Sequence, residues 1–393
     1  MRILFVTNRF PGQAMRGDQL RAFEQIRHLS QRHAITLLSF EAAHPRHSAG
    51  TDLAAWCERV VTLPRRRLLL GPRLAGAMFD PRPIQAAIYD TAAQRRCVDA
   101  LLADTPFDLV HVQLARLGGL VQHVRGVPCV LDLIDALSLN MARRGALDRG
   151  LSGFVARREA ARLVDYERVL CAQAAGVAVC SPVDRAAIGD YPNLVRIDNG
   201  VDLDRFRFVA TADPRPEIVF VGNLGYFPNV DAISWFAANV LPLLSAHVPA
   251  LRLVLVGARP AASLQRLARR SPCIDLVGPV ADVHPYLSRA AIAVVPLRAG
   301  SGQQLKVLEA MATGTPVVAT SIAAAGLDAV PGEHLRVADD AASMAAAILD
   351  VMHDRAAALR MAGAARRLVE QRHSWRDSAL ALERLWLQAV GRA

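Results

Sequence analysis

The chain has 393 residues, 52% of them apolar and 21% charged, a profile that leaves room for two or three domains and excludes both global disorder and a small stapled scaffold. The formal net charge is +10, with 26 arginines against 19 acids in residues 1–200, but the basic residues are scattered with few aromatics among them. Nucleic acid is therefore not the expected partner, whereas an anionic phosphate substrate or an acidic membrane surface fits this charge at least as well.

Residues 1–40 read as strand RILFVTN, a loop containing Gly and Pro, an amphipathic helix from about Gln19 to Arg32 and strand AITLLSF. That is a βαβ unit, and it implies a parallel sheet. Met1 leads straight into a strand rather than a signal peptide, so a cytoplasmic location is expected. Segment 64–79 (PRRRLLLGPRLAGAMF) joins an arginine triplet to several leucines. It reads either as a patch for the anionic inner face of the plasma membrane or as a plain surface loop before a buried helix.

The runs DLVHVQ, CVLDLID, GVAVCS and LVRIDNG follow, with a helix over 152–175 between the second and third. They do not alternate polar with apolar residues, so they read as strands buried on both faces. His111 within them reads as a core histidine. Asp132 reads as a buried hydrogen-bonding group, and Asp135, at the strand end, either as a group that orients an acceptor hydroxyl or takes its proton, or as a loop cap. The six cysteines (57, 97, 129, 171, 180 and 273) lack CxxC spacing and read as free thiols in a reducing compartment.

Residues 202–216 are dense in charge and close on two prolines, which marks a domain boundary. A second α/β series then runs EIVFVGNL, LRLVLVGA, IDLVGPV, AIAVVPL and PVVAT. The uncharged stretch of 232–251 contains Asn239, Pro242 and Pro249, so it reads as a helix and a loop rather than a membrane span. The last segment, 374–390, spaces Trp375, Leu382, Leu385 and Trp386 as an amphipathic helix. Together these elements predict an α/β protein of two doubly wound domains facing each other across a cleft.

The most informative stretch is VVPLRAGSGQQLKVLEAMATGTPVVATS, residues 294–321. A strand ends at Pro296, a loop holds Gly300, Ser301, Gly302 and Gln303, and a helix runs from about Gln304 through Leu305 to Thr313, with Gly314 as a left-handed stop. Strand end, glycine loop and helix start form a phosphate cradle: glycine lets backbone N–H groups approach an anion, and the helix dipole favours negative charge there. Lys306 is the single lysine among 46 basic residues, a compact ammonium where every other cation is a guanidinium. It shares a helix face with Glu309, three residues on. Because Val307, Leu308, Ala310, Met311 and Ala312 leave this helix little solvent, the pair reads as functional: an ammonium to neutralise a diphosphate, a carboxylate to accept from a ribose diol. An ordinary surface ion pair is the alternative. Arg298 stands in reserve as a second cation.

This stretch resembles the donor-binding signature of retaining GT-B glycosyltransferases of family 4, E-x-F-G-x-x-x-x-E-A-M-A-x-G-x-P-V-V. Glu309-Ala310-Met311-Ala312, Gly314 and Pro316-Val317-Val318 match its second half, while Ser301 stands where the first glutamate, a donor-sugar contact, is usual. The form G-S-G-x-x-x-K-x-L-E-A-M-A resembles a subgroup associated with exopolysaccharide and cell-surface glycan assembly. Gly17-Asp18-Gln19-Leu20-Arg21 resembles the subgroup's G-D-x-x-R loop near the donor phosphates or acceptor, with N-capping the alternative for Asp18. Asn199-Gly200-Val201-Asp202 with Phe206 resembles the family's linker. Many members carry Arg directly after the glycine of Val221-Gly222 and Lys six residues later; Asn223 and Asn229 stand there instead, which puts more weight on Lys306.

The resemblance implies a GT-B fold: residues 1–200 binding the acceptor, 201–370 binding a nucleotide sugar, and 371–393 a helix crossing back to the first domain. It implies transfer, with retention, of a sugar from a UDP- or GDP-sugar to a glycan or lipid-linked acceptor. Lys306 and Asp135 are the expected catalytic residues. Gly17, Asp18, Arg21, Asn223, Gly300, Ser301, Gly302, Gln303, Gln304, Leu305 and Glu309 are expected to bind substrate. The nucleotide sugar is a substrate, so no cofactor and no metal are expected. A sugar-nucleotide epimerase on this fold, or a nucleotide-sugar-binding protein that has lost transfer, are the rival readings.

Overall fold

The computed structural model describes residues 1–12, 16–41, 53–63, 76–77, 80–148, 150–211 and 213–391. Segment 64–79, apart from Gly76 and Ala77, lies outside the described residues. The chain divides into two compact units, Met1–Asn199 with Trp375–Ala393, and Gly200–Ser374.

Unit 1 begins with β1 (Arg2–Thr7), helix α1 (Gly17–Leu29) and β2 (Ala34–Ser39), and continues with β3 (Arg59–Thr62), β4 (Leu109–Gln113), β5 (Cys129–Ile134), β6 (Gly176–Val179) and β7 (Leu194–Arg196). Every pair in this seven-stranded sheet is parallel, in the order β3-β2-β1-β4-β5-β6-β7. The uniformly apolar runs are its inner strands, because helices cover both faces. Between β5 and β6 lie helices α2 (Leu137–Leu147) and α3 (Leu151–Gln173).

Unit 2 repeats the plan with β8 (Arg215–Val221), β9 (Arg252–Val256), β10 (Ile274–Gly278), β11 (Ala290–Val295), β12 (Val317–Ala319) and β13 (Arg336–Val337), in the parallel order β10-β9-β8-β11-β12-β13. Helix α4 (Phe227–Asn239) follows β8, and α5 (Leu305–Thr313) follows β11. Over 232–251 the chain forms the end of α4 and a short helix, Leu241–Ser245, before a loop, one helix more than the sequence reading has. Pro242 is tolerated because it occupies the first turn of that second helix.

The passage into unit 2 comes at Asn199–Gly200, ahead of the charged stretch 202–216. That stretch is not a free linker. Phe206 is buried in the unit 2 core, and the Val201 N–H donates to the His373 carbonyl. Charge dominates its composition, and a few apolar anchors decide its placement.

The last helix, α6 (Trp375–Ala389), belongs to unit 1. It packs on α1, and Trp386 is fully buried among Phe5, His111 and His33. Trp386 Nε1 donates to His111 Nδ1 at 3.3 Å, and the carboxylate of Glu383 meets His33 at 2.7 Å and Arg32 at 2.7 Å. His111 is thus a core residue, held neutral by burial that lowers its pKa to about 4.

Candidate functional site

In a doubly wound sheet, ligands bind outside the carboxyl ends of the strands where the strand order reverses. In unit 2 that point lies between β8 and β11. The two loops leaving it are Gly222–Tyr226, which leads into α4, and the glycine loop 296–304, which leads into α5.

The first loop is shaped by close backbone packing. A Cβ at Gly257 would sit 1.7 Å from the Gly222 carbonyl oxygen, so only glycine lets the loop after β9 lie against the loop after β8. Hydrogen bonds then lock the two together: Gly222 N–H to the Val256 carbonyl at 3.0 Å, Leu224 N–H to Ala258 at 2.9 Å and Ala261 N–H to Leu224 at 3.1 Å. Asn223 spends its side chain on this turn, its Oδ1 accepting from the Gly225 N–H at 3.1 Å.

The second loop turns through left-handed backbone at Gly300 (φ 131°) and Gly302 (φ 70°), and Gln304 Nε2 donates back to the Ser301 carbonyl at 3.1 Å. Gln303 is buried, whereas Ser301, Gln304 and Leu305 are partly exposed. No side chain caps α5; within its first turn the Val307 N–H donates to the Gln304 carbonyl at 2.9 Å. The helix stops at Gly314 in left-handed conformation (φ 87°), as the sequence predicts.

Lys306 and Glu309 emerge half-buried from α5 beside five buried apolar neighbours. Lys306 Nζ donates to Asn229 Oδ1 at 2.7 Å and lies 4.9 Å from the centroid of the Phe220 ring. The amide of Asn229, itself buried, donates in turn to the Asn223 carbonyl at 2.9 Å. One asparagine therefore ties the lysine to the first loop. Gly222 makes room for both: a Cβ there would stand 3.0 Å from Asn229 Nδ2 and 3.3 Å from Lys306 Cε. Sequence reading treats Asn229 as a missing cation; in the fold its amide oxygen instead holds the Lys306 ammonium at 2.7 Å.

Burial dominates the electrostatics. It lowers the Lys306 pKa to about 8, partly opposed by Glu309, and raises that of Glu309 to about 7, partly opposed by Arg205 and Lys306. Charges this poorly solvated are prepared to meet a charged, polar ligand. Arg205, in the charged stretch that sequence reading takes for a linker, is the cation missed there; it also pairs with Asp282 at 3.5 Å. Arg298, the reserve cation, is committed to Asp231 at 2.6 Å and to the face of Trp235.

The expected residues of unit 1 are less uniform. Gly17 is exposed as the first residue of α1. Asp18 does not cap this helix; its carboxylate accepts from Arg9 at 2.6 Å. Arg21 is fully buried, with Nε on Asp132 at 2.6 Å and Nη1 on the Ile197 carbonyl at 3.0 Å and Asn199 at 2.8 Å. Arg21 thus braces β5 against the chain leaving β7. Asp135 is half-buried at the carboxyl end of β5, beside Ile134, a β-branched residue at φ 69°. The start of α2 just beyond is closed by carboxylates from elsewhere, Asp184 on the Ala136 N–H at 3.0 Å and Glu167 on the Ser138 N–H at 3.1 Å.

Among the described residues no group of three or more His, Cys, Asp or Glu could hold a metal ion. None of their helices is long and apolar enough to cross a membrane.

Comparison with known proteins places this architecture. Residues 215–354, most of unit 2, match the family described as "Glycosyl transferases group 1". Sucrose-phosphate synthase from Thermosynechococcus elongatus superposes with a TM-score of 0.74 at 20% identity, covering 100% of both chains. Anabaena Alr3699/HepE in complex with UDP superposes with a TM-score of 0.68 at 16% identity, covering 98% of this chain and 99% of that one. The fold is that of the GT-B proteins, two Rossmann-like parallel sheets. Among curated sequences, a glycogen synthase of Mycobacterium tuberculosis is 32% identical over 206 residues, 49% of this chain and 48% of its own. The chain thus spans about half the length of the curated relative it matches.

Proposed function

We propose that the protein is a glycosyltransferase that moves a hexosyl group from a UDP- or GDP-sugar to a glycan or lipid-linked acceptor with retention of configuration, in the cytoplasm and in the service of exopolysaccharide or cell-surface glycan assembly. The observation that carries the reading is the Lys306–Asn229–Asn223 connection: the lone lysine is held over a glycine-opened loop at the switch point of the unit that matches the glycosyl transferases group 1 family. The structure of Anabaena Alr3699/HepE with UDP supports a nucleotide donor.

In this reading the diphosphate lies between the two loops, and the Gly300–Gln304 backbone with the start of α5 supplies its N–H donors. Glu309 accepts from the ribose hydroxyls. As the sugar–phosphate bond breaks, negative charge grows on the diphosphate, and the Lys306 ammonium neutralises it from a fixed position. Asn229 holds that position by accepting one Nζ–H, leaving the others for phosphate oxygens. Asp135 orients the acceptor hydroxyl or takes its proton.

A countercharge built from Lys306 and a helix dipole predicts metal-independent turnover. Donor consumption is measured with a polyprenyl-phosphate-linked sugar as acceptor, in EDTA and then in excess Mg²⁺. Unchanged rates are expected, and loss in EDTA with recovery in Mg²⁺ would overturn the metal independence. Conversion of donor without acceptor favours an epimerase; tight donor binding with neither hydrolysis nor transfer favours a binding protein, the reading that Ser301 and the two asparagines would then support.

A further inference from the structure

Large apolar side chains are exposed at only a few places among the described residues, and three of them cluster at the start of α3: Leu151 is 80% exposed, Phe154 55% and Val155 42%. Their spacing of i, i+3 and i+4 puts them on one face of the first helical turn, and exposed Arg158 continues the stripe at i+7. The other face is buried through Gly153, Ala156, Ala160 and Leu163, so the stripe points away from the unit 1 core.

The chain reverses tightly between α2 and α3. A Cβ on Gly153 would lie 2.0 Å from the Asp148 carbonyl oxygen, and Gly150 has φ 78°. Arg157 Nη1 fastens the two helices by donating to the Gly145 carbonyl at 2.7 Å. This geometry presents the stripe at the tip of a braced helical hairpin.

The sequence of the tip, 141–158, holds five arginines (143, 144, 149, 157 and 158) and one acid, Asp148, which is paired with Arg144 at 3.2 Å. The next acid, Glu159, is turned inward, accepting from the Ile84 N–H at 2.7 Å and pairing with Arg162. Arg157 and Arg158 are both exposed beside the stripe, and an apolar point flanked by cations complements an apolar layer under an anionic surface. A second copy would set one cationic rim against another, and three side chains are far short of the roughly 1,000 Å² that a stable protein interface buries. A bilayer asks only for a few inserted side chains and phosphates for the arginines.

We propose that the α2–α3 hairpin tip is a membrane-docking surface, with Leu151, Phe154 and Val155 entering the headgroup–acyl boundary of an anionic bilayer and the exposed Arg157 and Arg158 meeting lipid phosphates. It is distinct from segment 64–79 and rests on no part of the donor-site reading. The test is co-sedimentation of the full chain with vesicles of phosphatidylcholine alone or mixed with phosphatidylglycerol. Binding to the mixed vesicles only is expected. A Leu151→Ser, Phe154→Ser, Val155→Ser triple variant, which keeps every charge, should bind about tenfold more weakly or worse with unchanged thermal unfolding. A Phe154→Trp variant reads insertion directly, as a blue shift of its emission on mixed vesicles. No binding by the parent chain, equal binding by the triple variant, or no shift while the chain is bound would each overturn the proposal. So would a parent dimer that the triple variant dissociates.

Discussion

At the scale of single residues, the proposed site holds the one side chain of a type the protein otherwise avoids. Lys306 is the only lysine, so reductive methylation with ¹³C-formaldehyde places one lysine signal in the NMR spectrum. Its titration is predicted near pH 8, against 10.5 for an exposed lysine. Asn229→Ala, which removes the accepting oxygen, should lower that value further, and Asn229→Asp should raise it; a midpoint near 10.5, unmoved by either change, would refute the site as described. Catalysis needs the ammonium form, so turnover should fall as pH rises through about 8. Lys306→Ala should cost turnover about 100-fold or more with little loss of stability, and Lys306→Arg should remain impaired because the space between Phe220 and Gly222 suits a point charge. Stability linkage runs the opposite way at Lys306. Between pH 8 and 10.5 the unfolded chain binds more protons at Lys306, so stability rises with pH there; between 4.5 and 7 the folded chain holds more at Glu309, so stability falls as pH rises. Urea unfolding of Lys306→Met and Glu309→Gln should flatten the alkaline and acid slopes respectively. The placement of Lys306 and Glu309 together on α5 among apolar neighbours was legible from spacing. The role of Asn229 was not, because a hydrogen bond across 77 residues leaves no local pattern.

At the scale of elements, glycines set how close the loops of the site come. Gly257→Ala would drive a methyl group into the Gly222 carbonyl, and Gly314→Ala would meet the Phe208 ring at 2.7 Å with φ 87°. Each should destabilise by about 1–3 kcal/mol in urea melts, and Gly257→Ala should also weaken nucleotide binding, since it displaces the loop carrying Asn223. The stop at Gly314 was visible in sequence because a helix period ends there. The Gly222–Gly257 contact was not, because strand neighbours are chosen by the sheet. Arg21 carries the same lesson in unit 1. In sequence it belongs to a loop motif, whereas in the fold α1 turns it inward to Asp132. Removing one partner, Arg21→Ala or Asp132→Ala, should cost about 3–5 kcal/mol, and replacing both with apolar residues of like size should cost much less.

At the scale of the molecule, both units use the same winding, with β1 beside β4 and β8 beside β11 at their switch points. The inner strands and both βαβ series were readable because parallel strands buried on two faces leave long apolar runs. The short edge strands β3 and β13 were not, since four and two residues are too few to leave a pattern. Nor was the placement of 200–216, where Phe206 outweighs the surrounding charge. Unit 2 is proposed to bind a nucleoside diphosphate sugar at Lys306 and Glu309. That proposal is tested most directly by calorimetry of the purified chain with UDP, GDP and their common sugars in EDTA, repeated on Lys306→Ala and Glu309→Ala. Binding of one nucleotide class without metal, weakened at least tenfold by either substitution, is expected. Absence of binding by any of them, or binding indifferent to both substitutions, would contradict it.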